Sequence, residues 1–195
     1  MNEKLVINAV AVGIILFVLL AGQLVQPSRQ SLTYISTYGF IALLCLLLIL
    51  SLPYLSKALQ HKIILSAYKN RRLIGIWTFL FALIHVVLVL NFILKWDVLP
   101  LFTNPNYIFL TLGFVAFCLL FLMAITSNDF SVKLLGAKWK SLHRVIFIAL
   151  VLILIHFLNV GKIFAKEPVL AFGVVAISLL VILSRLCLTC KILKI

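Results

Sequence analysis

The sequence predicts an all-α integral membrane protein: a bundle of six transmembrane helices with both termini in the cytoplasm. Three observations support this fold class. The 195 residues are 65% hydrophobic and their mean hydropathy is +1.29, which excludes an ordinary soluble domain. Only four acidic residues accompany 17 Lys and Arg. The apolar residues form six runs, each long enough to cross about 30 Å of hydrocarbon at 1.5 Å per residue.

The six runs are expected to form one domain over residues 1–195. The first run resembles a signal peptide because Lys4 precedes it, but no convincing small-x-small cleavage site follows, so a membrane span is expected. All five prolines fall between runs or at their ends, and unbroken helices are therefore expected. The helices are expected at about 5–25, 33–52, 73–94, 107–126, 144–161 and 168–186, and the prolines are Pro27, Pro53, Pro100, Pro105 and Pro168.

The orientation follows from the basic residues. With both termini inside, 13 of the 17 Lys and Arg lie on the cytoplasmic side, and only Arg29, Lys95, Lys162 and Lys166 lie outside. This bias explains the net charge of +13 better than nucleic-acid binding does. No loop exceeds about twenty residues, which leaves no room for a soluble catalytic domain. The GxGxxG, P-loop and HExxH motifs are also missing from the sequence.

Two histidines are expected deep within apolar helices, where an ionisable side chain usually serves as a ligand, a relay or an ion-pair partner. His85 lies 13 residues beyond Arg72, and His156 lies 12 beyond Arg144. Both rings should therefore be roughly 18–20 Å from the cytoplasmic edge. Because the two helices run in the same direction, the rings can approach both faces of a planar macrocycle. This is the geometry of bis-histidine haem ligation, in which the iron is suited to electron transfer.

Small residues on the same helices are expected to leave room for the cofactor, namely Thr78 and Ala82 near His85 and Ala149 before His156. A third histidine, His143, would lie about 20 Å from His156 along a continuous helix, too far to ligate the same iron. We expect one haem, and a second only if His143 finds another partner.

Other polar residues carry weaker signals. The basic cluster of Arg71, Arg72 and Arg144 usually reflects topology, and alternatively it holds anionic headgroups or the edge of a flavin or quinone. His61 is expected to be an exposed loop residue. The single CxxC at Cys187 and Cys190 cannot complete a tetrahedral zinc site.

Three stretches together carry a resemblance to a known family: RRLIGIWTFLFALIH at 71–85, ITS at 125–127 and LGAKWKSLHRVIFIALVLILIHF at 135–157. The chain resembles the ferric-reductase-like transmembrane domain family, most closely its bacterial branch of haem-binding subunits of protein-methionine-sulfoxide reductase systems. The resemblance departs from the family pattern at Tyr34, where a histidine is common.

The resemblance implies a multi-pass protein of the bacterial inner membrane that binds haem b through His85, His143 and His156. It implies a quinol or a cytosolic flavin reductase as electron donor and a periplasmic molybdenum-dependent reductase of methionine sulfoxide as acceptor. It also implies membrane lipid as a partner and flavin mononucleotide (FMN) as a further cofactor.

The predicted function is an electron-transfer component of an oxidoreductase rather than a stand-alone catalyst. Electrons are expected to enter near Arg71, Arg72 and His143 and to leave through the haem between His85 and His156. One alternative is a ferric or cupric reductase-type conduit with another acceptor. Alternatives of a different class are a transporter and a structural subunit without haem. Transport is disfavoured because the acidic residues lie outside the apolar runs.

Overall fold

The computed structural model describes residues 2–161 and 163–192, with side chains described through Arg185. This part of the chain is helical and contains no β-strand. Two short 3-10 turns, Pro105–Tyr107 and Phe164–Lys166, accompany the α-helices. The α-helices are α1 (Glu3–Gln23), α2 (Pro27–Leu59), α3 (Lys62–Lys69), α4 (Arg71–Phe92), α5 (Pro100–Thr103), α6 (Ile108–Ile125), α7 (Asp129–Leu135), α8 (Ala137–His143), α9 (Ile146–Val160) and α10 (Pro168–Ile192).

Six segments are long and apolar enough to cross a membrane, which confirms the predicted six-span bundle. Their outward-facing surfaces carry large apolar side chains such as Phe17 and Phe172, both more than 70% exposed, as expected of helices that face hydrocarbon. The segments are Glu3–Gln23, Pro27–Leu59, Arg71–Phe92, Pro105–Ile125, Ala137–Val160 and Pro168–Arg185. The cytoplasmic location of the termini stays a prediction.

Helix α2 is longer than the sequence indicated, because it continues through Pro53. The prediction that every proline lies between helices or at their ends was therefore wrong for this residue. Pro27 stands in the first turn, where a missing N–H costs nothing. Pro53 removes one interior hydrogen bond, the one to the carbonyl of Ile49. The helix continues because, in hydrocarbon, the remaining backbone groups of a span must find their hydrogen-bond partners within the helix.

The helix expected to carry both His143 and His156 is divided. Helix α8 ends at His143, and α9 begins at Ile146. Between them the backbone N–H of Arg144 donates to Ser141 and that of Val145 donates to Leu142, at 3.2 and 3.0 Å. These bonds reach three residues back, which is the tighter winding of a 3-10 turn. Helices α8 and α9 still form one membrane span, but His143 is the last residue of the short helix α8 and does not begin the long helix α9.

Two segments expected as loops contain short capped helices. His61 accepts a hydrogen bond from the backbone of Ile63 at the start of α3 and is exposed, as predicted. Asn128 accepts one from the backbone of Ser131 at 2.8 Å, which caps α7. Gly136 separates α7 from α8 with φ +50°, a conformation that favours glycine.

The bundle is built around two antiparallel helix pairs, because α4 packs mainly on α2 and α9 packs mainly on α6. The pairs meet through α4 and α6. Phe81 on α4 and Leu150 on α9 are buried to 1% exposure or less, while α1 and α10 pack on α2 from outside. This arrangement turns the histidine-bearing faces of α4 and α9 toward each other.

Candidate functional site

The rings of His85 and His156 meet in the middle of the bundle. Their centroids are 6.2 Å apart and their planes are inclined at 81°. The two rings are therefore close neighbours, and their depth in the membrane stays a prediction. Both rings are partly buried, and both line one cavity of about 220 Å³ between the helix pairs.

Each ring is held through Nδ1 by a backbone carbonyl of the partner helix. Nδ1 of His85 lies 2.8 Å from the carbonyl oxygen of Ile35 on α2, and Nδ1 of His156 lies 2.8 Å from that of Phe109 on α6. A carbonyl oxygen only accepts hydrogen bonds, so Nδ1 carries the proton and donates. In a neutral imidazole this leaves the lone pair on Nε2, which is the nitrogen available to a metal.

Two glycines allow this close approach. A Cβ atom on Gly39 would lie 2.8 Å from Nδ1 of His85, and one on Gly113 would lie 2.6 Å from Nδ1 of His156. Reasoning from the sequence missed both glycines and both carbonyls. The available signal was a repeated Thr-x-Gly-Phe, which appears as TYGF at 37–40 and TLGF at 111–114.

The cavity around the rings is apolar. Among the described residues that line it, none is charged, and the polar side chains are the two histidines and Ser36. One wall is aromatic, since Phe40 stacks on Phe164 with centroids 4.3 Å apart and planes inclined at 9°. Of the small residues expected to leave room, Ala82 lines the cavity, whereas Thr78 and Ala149 are buried in helix packing. The site suits a flat, largely apolar group.

The spacing of the rings fits one metal ion between them. Metal–nitrogen bonds of about 2.0–2.1 Å, plus roughly 1.1 Å from each nitrogen to its ring centroid, would place the centroids of two imidazoles that hold one metal between them about 6.2–6.4 Å apart. The observed 6.2 Å lies in this range. Within the described residues no group of three or more His, Cys, Asp or Glu could hold a metal ion. A metal at this pair would therefore take its remaining ligands from a bound group, as in a metallated macrocycle.

His143 lies in a separate cluster at the α7–α8 end of the bundle. Its ring stacks on Trp139 with centroids 4.0 Å apart, and its Nε2 lies 3.2 Å from the hydroxyl of Thr126. Trp139 donates its indole N–H to the carbonyl of Thr126 at 2.9 Å. Arg72 lies over the Trp139 ring at 5.6 Å and pairs with Asp129 at 2.6 Å. Of the predicted basic residues, Arg72 is thus joined to His143 through Trp139.

The other predicted polar residues are not brought to this cluster. Arg71 lies over the ring of Tyr68 at 4.7 Å, and Arg144 donates to the hydroxyl of Ser141 at 3.3 Å. The side chains of the CxxC pair at Cys187 and Cys190 lie outside the described residues. In the described part of the chain, Cys45 and Cys118 are free thiols.

Comparison with known proteins identifies a family and several relatives. The model of a family described as "Ferric reductase like transmembrane component" matches residues 35–154, from the carbonyl partner of His85 almost to His156. Similar proteins include the heme-binding subunits of protein-methionine-sulfoxide reductase, MsrQ, of Brucella ovis, Brucella canis and Brucella suis. Each is 34% identical over 125 residues, which cover 62% of this chain and 56% of the relative.

The match thus spans little more than half the length of these relatives. The family model covers well over half of this chain, and six segments can cross a membrane, so this is a multi-pass membrane protein. The chain belongs to the family of ferric reductase like transmembrane components.

Proposed function

We propose that this chain is a haem b-binding electron-transfer subunit of the bacterial inner membrane, in which His85 and His156 would hold the iron of one haem. The observation that carries the proposal is the pair of histidine rings. Their centroids are 6.2 Å apart, each Nδ1 is hydrogen-bonded to a backbone carbonyl, and each Nε2 can therefore bind a metal. The relatives named as heme-binding subunits support it. When bound, the haem would supply one-electron chemistry.

The chain's own residues would hold and insulate this group. The carbonyls of Ile35 and Phe109 keep the proton on Nδ1 of each ring and orient its plane. The apolar lining excludes water, and Phe40 with Phe164 forms a flat wall beside the rings. Exclusion of water keeps the local dielectric low, so the electron carrier is shielded from side reactions with solvent.

We propose that electrons enter near His143 and Arg72, where an indole, an imidazole and a guanidinium are in contact. Arg71 and Arg144 flank this end of α4 and α9 and would attract anionic groups. The donor is a quinol or a cytosolic flavin reductase, and FMN is a further cofactor proposed for this end. His143 remains a candidate ligand for a second haem, for which its bond to Thr126 would have to open.

The proposed acceptor is a periplasmic molybdenum-dependent reductase that repairs methionine sulfoxide. Support comes from the relatives, whose names assign them to protein-methionine-sulfoxide reductase. A second candidate is a ferric or cupric reductase-type conduit, which the family description favours. Right-side-out membrane vesicles supplied with a membrane-permeant quinol separate the two: reduction of an added methionine-sulfoxide reductase partner supports the first, and reduction of ferric citrate without that partner supports the second.

Haem content and the dithionite-reduced spectrum of the purified protein test the core of the proposal. The wild type, expressed with ample haem, should show a low-spin b-type spectrum that disappears in His85→Ala and in His156→Ala. The matched control is His143→Ala, which should keep the spectrum because His143 lies in the separate cluster with Trp139. A wild-type protein that purifies without haem would contradict the proposal and indicate that the histidines only pack between helices.

A further inference from the structure

The two helix pairs present each histidine in the same three-part arrangement. On α2 the carbonyl of Ile35 accepts from His85, and Gly39 follows four residues later. On α6 the carbonyl of Phe109 accepts from His156, and Gly113 also follows four residues later. The same spacing therefore recurs at both histidines.

The physical reason for the spacing lies in helix geometry. The carbonyl at position i accepts one hydrogen bond from the N–H at i+4 and keeps a second lone pair for another donor. Side chains on a helix lean toward its N-terminus, so the side chain at i+4 covers the carbonyl at i. A glycine at i+4 leaves that carbonyl open to an imidazole approaching from the next helix.

The distances show that the opening is needed. A Cβ on Gly39 would lie 2.8 Å from Nδ1 and 2.9 Å from Cε1 of His85. A Cβ on Gly113 would lie 2.6 Å from Nδ1 and 2.8 Å from Cε1 of His156. Real Cβ atoms do not approach neighbours this closely, so either ring would have to move. The helical glycines Gly13 and Gly75 differ, because a Cβ on either would meet nothing within 4 Å.

A short sequence repeat accompanies this repeated geometry. The segments TYGF at 37–40 and TLGF at 111–114 place Gly39 and Gly113 in matching positions, and the phenylalanines that follow, Phe40 and Phe114, both line the cavity. Glycine within a helix is unfavourable relative to alanine. Two such residues at equivalent places beside the two rings therefore indicate a local requirement.

We propose that Gly39 and Gly113 are positioning residues, which expose the carbonyls of Ile35 and Phe109 so that each imidazole presents Nε2 to the haem iron with its plane nearly perpendicular to the other. This inference rests on the proposed function. Donation from Nδ1–H to a carbonyl makes Nε2 a stronger electron donor. A stronger donor favours ferric over ferrous iron, so the two hydrogen bonds lower the midpoint potential.

The test compares Gly39→Ala and Gly113→Ala with two matched controls, Gly75→Ala on the helix of His85 and Gly13→Ala on α1. Haem affinity, midpoint potential and the electron paramagnetic resonance (EPR) spectrum of the oxidised protein are measured for each. The wild type should give the large-gmax low-spin signal typical of nearly perpendicular imidazole planes. The two test variants should bind haem about 10- to 100-fold more weakly, and the haem that remains should have a higher potential and an altered EPR signal.

The outcomes separate the two proposals. If the wild type holds haem and Gly39→Ala and Gly113→Ala match Gly75→Ala in all three measurements, the positioning role is overturned and the proposed function stands. If the wild type holds no haem, the proposed function itself fails. Should the test variants not accumulate, the wild-type EPR spectrum still decides, because a rhombic signal typical of parallel imidazole planes contradicts ring orientation by the two carbonyls.

Discussion

Replacing His156 by alanine should leave a space that free imidazole can fill. The substitution removes the ring and keeps the carbonyl of Phe109, which held Nδ1 at 2.8 Å, and Gly113, which leaves that carbonyl open. Free imidazole can donate the same hydrogen bond and present its other nitrogen to the metal. We therefore expect His156→Ala to lose the low-spin spectrum and to regain it when imidazole is added.

An untethered molecule pays at least about 4 kcal/mol of association entropy that an attached side chain does not pay, so His156→Ala should show no low-spin signal until imidazole is added. The relative concentration that the double variant needs can be estimated. Adding Gly113→Ala covers the carbonyl and removes a hydrogen bond worth about 0.5–1.5 kcal/mol, so rescue of the double variant should need about 2- to 13-fold more imidazole.

The assay is a spectroscopic titration of the purified variants with imidazole, in which the low-spin fraction is measured at each concentration. His143→Ala is the control and should show the full signal without imidazole, with no response to it. A His156→Ala protein that keeps the wild-type low-spin spectrum before any imidazole is added would refute the assignment of His156 as a ligand.

Three further predictions concern the scaffold. A Cβ on Gly22 collides with the ring of Tyr34, so Gly22→Ala should lower the free energy of unfolding in micelles by about 1–3 kcal/mol, whereas Gly13→Ala should leave it unchanged or raise it by up to about 1 kcal/mol; equal effects would contradict the packing. The side chains of Arg72 and Asp129 are 46% and 87% exposed, so Asp129→Asn should lower the free energy of unfolding by less than about 1 kcal/mol, and this decrease should be smaller at high salt. Arg72→Gln should lower the free energy of unfolding further, because it also removes a cation–π contact worth about 0.5–1 kcal/mol. Chemical unfolding of both variants measures the difference. A reporter enzyme active only outside the cytoplasm should be inactive at the C-terminus and active in the loop between α9 and α10, and the reverse pattern would invert the topology.

The sequence by itself determined the six spans and the similar depth of His85 and His156. Span length is a local property, set by how many apolar residues cross the hydrocarbon at 1.5 Å each. Depth is equally local: 13 residues from Arg72 and 12 from Arg144 place the two rings at one level. The spacing gave only this equal depth; the packing of the two helix pairs brings the ring centroids to 6.2 Å.

Local rules failed in two places. Proline is a helix breaker by rule, yet α2 passes through Pro53, because in hydrocarbon the remaining backbone groups of a span must find their hydrogen-bond partners within the helix. The chain between His143 and Ile146 is predicted as regular helix, but it tightens into a 3-10 turn. There Thr126 contacts both His143 and Trp139, a contact between distant segments that periodicity does not encode.

Only the tertiary structure decided what orients the two histidines. The hydrogen-bond acceptors are the backbone carbonyls of Ile35 and Phe109. Because every residue has a backbone carbonyl, the amino-acid sequence does not indicate which carbonyls accept these bonds. Gly39 and Gly113 are visible in the sequence, but their role depends on α2 packing against α4 and α6 against α9. The sequence specifies which side chains lie at the depth of the site, and helix packing selects the backbone atoms that hold them there.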